Sequence, residues 1–152
     1  MIYRLIAFLL INFGALALGS IFTGKGVLSE WYVGLVKAPW TPPGWVFGFA
    51  WTTIMIFFSI YIAYLWSIAE NKSLLIALFF IQWVLNAGWS PTFFYYHNIL
   101  VGLFIIVGLT LLIVFFLFFY FTELKLKSIL IAPYVIWLMI AASLNAYIFI
   151  NN

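Results

Sequence analysis

Residues 99–121 read ILVGLFIIVGLTLLIVFFLFFYF, with no charged side chain and only Thr110 and Tyr120 carrying a polar group. The run exceeds the about 20 apolar residues that a helix needs to cross hydrocarbon. In lipid every backbone N–H and C=O must be satisfied within the protein, which admits only helices or closed barrels. The hydrophobicity here is continuous and shows no period-two alternation, so helix is selected.

On either side of it the sequence holds four more such runs: residues 2–23, 43–66, 73–96 and 127–150. Five spans use roughly 115 residues and leave about 37 for connections, so the chain of 152 residues has no room for a second domain. Composition agrees, with 68% hydrophobic, 23% aromatic and only 6% charged residues and a mean hydropathy of +1.26. Soluble domains carry about 25% charged residues. The expected fold is therefore an all-α integral membrane protein: a single five-helix bundle over residues 1–152.

The first run also admits a signal-peptide reading, since Arg4 precedes an apolar stretch and Ala15-Leu16-Ala17 resembles a cleavage site. Hydrophobicity continuing to Phe22, past a typical core of about 7–15 residues, favours a span. The one long connection, residues 24–42, predicts an ordered lid. In it Ser29 is placed to cap a short helix Glu30 to Val36 before Pro39, Pro42 and Pro43 stop helical continuation. Trp31, Trp40 and Trp45 fall near headgroup depth, where an interfacial aromatic belt alone accounts for indoles. Arg4, Lys72, Lys125 and Lys127 lie on the N-terminal side, against Lys25 and Lys37 on the lid side. The positive-inside rule then predicts a cytoplasmic N-terminus and an external lid, as in a bacterial inner-membrane protein.

Several chemistries are excluded. The sequence has no cysteine, so disulfides and thiolate sites are impossible. Glu30, Glu70 and Glu123 all fall in connections or at span ends, so no carboxylate pair or intramembrane proton relay can be assembled. His97 stands alone in the turn between spans three and four, which reads as a solvated turn residue and expects no metal site. Six scattered basic residues form no face for nucleic acid. An inverted repeat, the mark of many transporters, cannot be drawn on five spans.

The remaining polar groups sit at depth on helical stripes. Gln82, Asn86, Trp89 or Ser90, and Phe93 recur at steps of three or four in span three. Span five carries Tyr134, Trp137, Ala141 and Leu144/Asn145; span two carries Gly44, Gly48, Trp51 and Met55; span one carries Asn12, Ala15 and Gly19. On a common reference plane at the lid, with a rise of about 1.5 Å per residue, Trp51 lies roughly 12 Å down, Asn86 about 15 Å, Trp137 about 20 Å and Asn145 about 8 Å. Buried amides often make interhelical hydrogen bonds with no ligand involved, and Asn12 and Gln82 read best that way. Deep indoles are different. Their N–H groups want partners, and large rings opposite small residues leave a shaped space of the kind that takes a small molecule. Span four has no such stripe and reads as lipid-facing or self-associating, with Gly102 and Gly108 as a possible dimer seam.

Three motifs carry a resemblance. Trp31-Tyr32-x-x-Leu35-x-Lys37-x-Pro39-Trp40-Thr41-Pro42-Pro43, with Trp51 eight residues on, is similar to the first-loop signature of the translocator protein family, also called tryptophan-rich sensory proteins or peripheral benzodiazepine receptors. Asn86-x-x-Trp89-Ser90-x-x-Phe93-Phe94 and Pro133-Tyr134-x-x-Trp137-x-x-x-Ala141-x-x-Leu144-Asn145 resemble its third- and fifth-span motifs. The resemblance implies five helices, a lidded pocket, homodimers, and binding of porphyrins, sterols and benzodiazepine-type drugs. For some bacterial members it implies light-dependent porphyrin breakdown, with Trp51 and Trp137 in the participating positions. Carried over, the pocket wall is Trp51, Asn86, Trp89, Trp137 and Ala141, with Tyr32 and Pro42 from the lid; the stripes add Met55, Ser90, Phe93 and Asn145. Porphyrin would be a ligand or substrate and not a covalent cofactor. Two departures stand out: Ala38 separates the lysine and proline that are adjacent in many relatives, and no basic residue follows Tyr147, so the C-terminal cholesterol pattern of animal members is missing.

Overall fold

The computed structural model describes residues 1–152 and is entirely helical. Five long helices are apolar enough to cross a membrane, making this a multi-pass integral membrane protein. They are α1 (Ile2–Gly26), α3 (Gly44–Ile68), α4 (Lys72–Ser90) continued by a π-helical turn Pro91–Tyr95, α5 (Ile99–Phe119), and α7 (Ala132–Asn151). Shorter pieces fill the connections: α2 (Glu30–Gly34) lies in the lid, and α6 (Phe121–Leu124) runs into a 3-10 segment, Lys125–Ile131, ahead of α7.

Local chemistry explains most boundaries. Ser29 caps α2 by accepting from the Tyr32 N–H, and Lys37 donates to the Val33 and Leu35 carbonyls at its other end. The lid helix therefore stops at Gly34, short of Val36, and α1 continues to Gly26, three residues beyond the expected end. Asn71 and Asn98 cap α4 and α5 in the same way. Pro91 has no N–H to donate, and the chain responds with a wider turn closed by Tyr96 N–H to Pro91 O at 3.0 Å.

The spans form a closed ring in the order α3, α1, α4, α5, α7 and back to α3, and the α3–α7 side has the thinnest packing. Apolar side chains from every span fill the lower interior, including Ile54, Phe58 and Tyr61 of α3, Ile113 and Phe116 of α5, and Tyr134 of α7. Since lipid offers no water to drive apolar groups together, close packing and a few hydrogen bonds must hold such a ring. Asn12 Nδ2 donates to Ser59 Oγ at 2.8 Å, Gln82 Nε2 to the Tyr134 hydroxyl at 2.8 Å, and Trp83 Nε1 to the Ile11 carbonyl at 3.1 Å. Each such bond contributes about 0.6–2 kcal/mol.

Span four does not face only lipid or a second copy, contrary to the expectation from its lack of a polar stripe. One face of α5, Gly102, Ile106, Leu109, Ile113 and Phe116, is buried against its neighbours. Gly102 is used inside the chain, since an added Cβ would lie 3.3 Å from Asn145 Oδ1 and 3.4 Å from Phe93. The helix has no polar stripe because its contribution is made by backbone carbonyls: Ile99 O accepts from Asn145, and Phe116 O from the Tyr61 hydroxyl.

Arg4, Lys72 and Lys127 lie at the end opposite the lid, each with its own partner. Arg4 donates to Ser67 Oγ, Lys72 donates to the Trp66 and Ala69 carbonyls at the end of α3, and the Lys127 ammonium sits over Tyr64. A cation on the terminal carbonyls of a helix also meets the negative end of its dipole.

Candidate functional site

The lid packs as a second small core. Trp31 stacks on His97 at 4.2 Å, Trp31 and Tyr32 meet Phe93 and Phe94 edge-on, and Ile148 closes the cluster from α7. His97 is exposed, but its stacking on Trp31 had no signal in the sequence because the partner is 66 residues away across the lid. Its φ of 53° makes the tight turn into α5. Burial pushes the Tyr32 phenol above its ordinary value. Ala38, the residue that departs from the family spacing, is 4% exposed, and its carbonyl accepts from both the backbone and the hydroxyl of Thr41.

After α2 the lid descends along α7 as a strap. Val36 exchanges two hydrogen bonds with the Asn152 side chain, Trp40 Nε1 donates to Ser143 Oγ at 3.2 Å, and the Trp40 ring meets Tyr147 edge-on. Further down, Phe47 meets Trp137 at 5.2 Å and Trp51 meets Tyr134 at 6.1 Å. The common reference plane therefore fails for span two: α3 starts well below the end of α7, and Trp51 sits level with Tyr134, deeper than Trp137.

All eleven expected site residues are buried or half-buried, and none is exposed. Trp89 Nε1 donates to Asn145 Oδ1 at 3.1 Å, and Asn145 Nδ2 donates to Ile99 O at 3.1 Å, so one amide joins α4, α5 and α7. Phe93 stacks on Trp89 at 5.0 Å. Ser90 Oγ accepts from Thr23 of α1. Met55 is fully buried beneath Trp51, and its carbonyl accepts from Ser59. Ala141 and Pro42 are half-buried. Two groups thus emerge, one around Trp89, Phe93 and Asn145 under α2, the other around Phe47, Trp51, Tyr134 and Trp137 on the α3–α7 seam.

Hydrogen-bonding capacity is left over on the second group. Trp137 is 6% exposed, and its Nε1 has no partner, a deficit that costs about 1–3 kcal/mol for an ordinary buried donor. Trp51 and Asn86 also bond to no protein group through their side chains. By contrast, Asn12 and Gln82 hold helices together, as expected of them, although one oxygen of each remains unpaired. No cluster of three or more His, Asp or Glu side chains is present for a metal. Two concavities stand apart from these residues: one of about 310 Å3 between α1, the lid and Phe94, and one of about 730 Å3 at the opposite end.

The arrangement of strap, indoles and amides runs through the whole chain, and so does its similarity to known proteins. Residues 6–150 match the TspO/MBR family. The chain is 36% identical over 135 residues to the tryptophan-rich protein TspO of Archaeoglobus fulgidus, covering 88% of this chain and 87% of that protein. It is 37% identical over 130 residues to the TspO protein of Chlorobaculum tepidum, covering 84% and 82%. It is 30% identical over 142 residues to the human translocator protein, covering 88% and 81%. A five-helix membrane bundle with this lid, matched over nearly its entire length, belongs to the TspO/MBR family.

Proposed function

We propose that the protein is a membrane receptor or binding protein for flat, apolar tetrapyrroles of the protoporphyrin type, with sterols or benzodiazepine-type molecules as further ligands of the same site. The site lies on the α3–α7 seam beneath the strap, with Trp51, Trp137 and Phe47 as stacking surfaces, Asn86 of α4 as an orienting amide, and Asn145 holding α7 in place through Trp89 and Ile99. The observation that carries this reading is the buried, unpartnered Trp137 N–H beside the Trp51–Tyr134 pair. A large ring system can accept from that donor while covering the indole faces. The strap rests on exposed contacts, Trp40 to Ser143 and Val36 to Asn152, and can release without disturbing the lower core. The N-terminus would be cytoplasmic and the lid external, by the excess of basic residues at the end opposite the lid. A homodimer would use a lipid-facing surface, such as the Gly108 side of α5, where an added Cβ meets nothing within 4 Å.

Protoporphyrin added to the purified protein should quench tryptophan fluorescence with saturation, and Trp51→Ala/Trp137→Ala should abolish the saturable phase. Retained saturation in that variant would place the ligand elsewhere.

Two further activities share the site: light-dependent porphyrin degradation, with Trp51 and Trp137 as redox-active side chains, and passive passage of the ligand. Illumination that produces a bilin-like absorption, lost in Trp51→Phe while binding persists, identifies the first. Flux through reconstituted vesicles identifies the second.

A further inference from the structure

The groove of about 730 Å3 at the end opposite the lid opens between α3 and the segment that enters α7. Ile60 and Tyr64 form one wall, and the stretch from Glu123 to Lys127, with Ile129 and Leu130, forms the other. Its chemistry is mixed in a definite way. Leu126 and Ile129 are 84% and 67% exposed, so apolar side chains stand open at the membrane–water boundary.

Two cations stand beside them. The Lys127 ammonium is held 4.1 Å from the Tyr64 ring centroid, against the apolar wall. Lys125 has φ 49° and ψ −122°, a conformation that favours glycine and that turns the chain sharply between α6 and the 3-10 segment, with Lys125 on the rim of the groove. The other two cations of this end, Arg4 and Lys72, are engaged with Ser67 and with the α3 carbonyls. Lys125 and Lys127 donate to no protein oxygen. Glu123 is the one acid of the groove, and it accepts from Thr122.

We propose that this groove binds an anionic glycerophospholipid, its phosphodiester between Lys125 and Lys127 and an acyl chain along Ile60, Leu126 and Ile129. Paired lysines beside an apolar wall at a span end match a charged headgroup carrying a hydrocarbon tail. Free phosphate would satisfy the lysines alone and leave the wall uncovered. The site is separate from the α3–α7 seam and does not depend on the tetrapyrrole reading.

Native mass spectrometry of the full chain in detergent, titrated with phosphatidylglycerol or with phosphatidylcholine of the same acyl chains, tests the proposal. One phosphatidylglycerol should be retained in preference to phosphatidylcholine. Each lysine should contribute about fivefold, so Lys125→Ala/Lys127→Ala should weaken retention about 25-fold. Ile129→Gln should weaken it as well, with Lys127→Arg close to wild type. Lys25→Ala/Lys37→Ala, at the lid end, should leave it unchanged. Equal retention of the two lipids, no effect of the double lysine variant, or an equal loss in the lid-end variant would each overturn the proposal. Displacement of phosphatidylglycerol by equimolar inorganic phosphate would also overturn it, as a site for the bare anion.

Discussion

Removing the Asn145 amide is the sharpest test of how the lid end of the bundle is held. This side chain accepts from Trp89 Nε1 and donates to Ile99 O, each at 3.1 Å, and its oxygen lies against Gly102. Hydrogen bonds inside membrane proteins average about 0.6 kcal/mol and reach about 1.7. Asn145→Ala breaks both, for a loss of about 1–3 kcal/mol. Trp89→Phe breaks only one of the two while keeping most of the ring, and should cost about 0.6 kcal/mol plus a small packing loss. The variants remove the same bond, so the double variant should fall short of the sum by about 0.6 kcal/mol. Reversible unfolding in mixed micelles, titrated with a denaturing detergent, reads all three values. Additivity within about 0.3 kcal/mol, the scatter expected of independent sites, would refute the assignment of the Trp89–Asn145 bond as a tie between α4 and α7. Porphyrin quenching should weaken in Asn145→Ala even though the seam indoles are intact, because the amide fixes α7 on which Trp137 rides.

Gly26→Ala should destabilise by about 1–3 kcal/mol, since its Cβ would fall on the Cβ and ring of Phe94, a contact that side-chain rotation alone cannot relieve. Gly24→Ala, with nothing within 4 Å, should be neutral or stabilising by up to about 1 kcal/mol through helix propensity; thermal unfolding of the two variants side by side checks the contrast. The Tyr32 phenol, raised by burial, makes the docked lid favour the neutral form. That contribution is complete below the ordinary phenol value of about 10 and is lost as pH rises through the higher folded value. Protection of the amides in residues 30–36, measured against their intrinsic hydroxide-catalysed exchange rates, should therefore fall above about pH 10 in the wild type, and Tyr32→Phe should reduce that fall.

The amino-acid sequence determined the class of fold and the stripes. A chain with almost no charge cannot solvate a folded surface in water, and uninterrupted apolar runs leave helix as the way to satisfy the backbone in lipid. Helical spacing then decided which side chains share a face, and put Trp89, Phe93 and Asn145 on inward faces before any neighbour was known. It could not say which helix each stripe meets. In hydrocarbon, apolar residues face inward and outward alike, so α5, without a polar stripe, gave no sign that its backbone carbonyls would receive Asn145 and Tyr61. Trp51 lies deeper than residue counting predicts, for a related reason. Residue counts assume that all spans begin at one plane, and only the docking of the strap along α7, through Trp40 and Val36, sets how low α3 starts. Tertiary structure alone made Trp51 a neighbour of Tyr134, left the Trp137 N–H without a partner, and set the Lys125–Lys127 stretch against Ile60 and Tyr64 of α3 in one groove. These are relations between surfaces far apart in the chain, and they depend on helix offsets that no local pattern encodes.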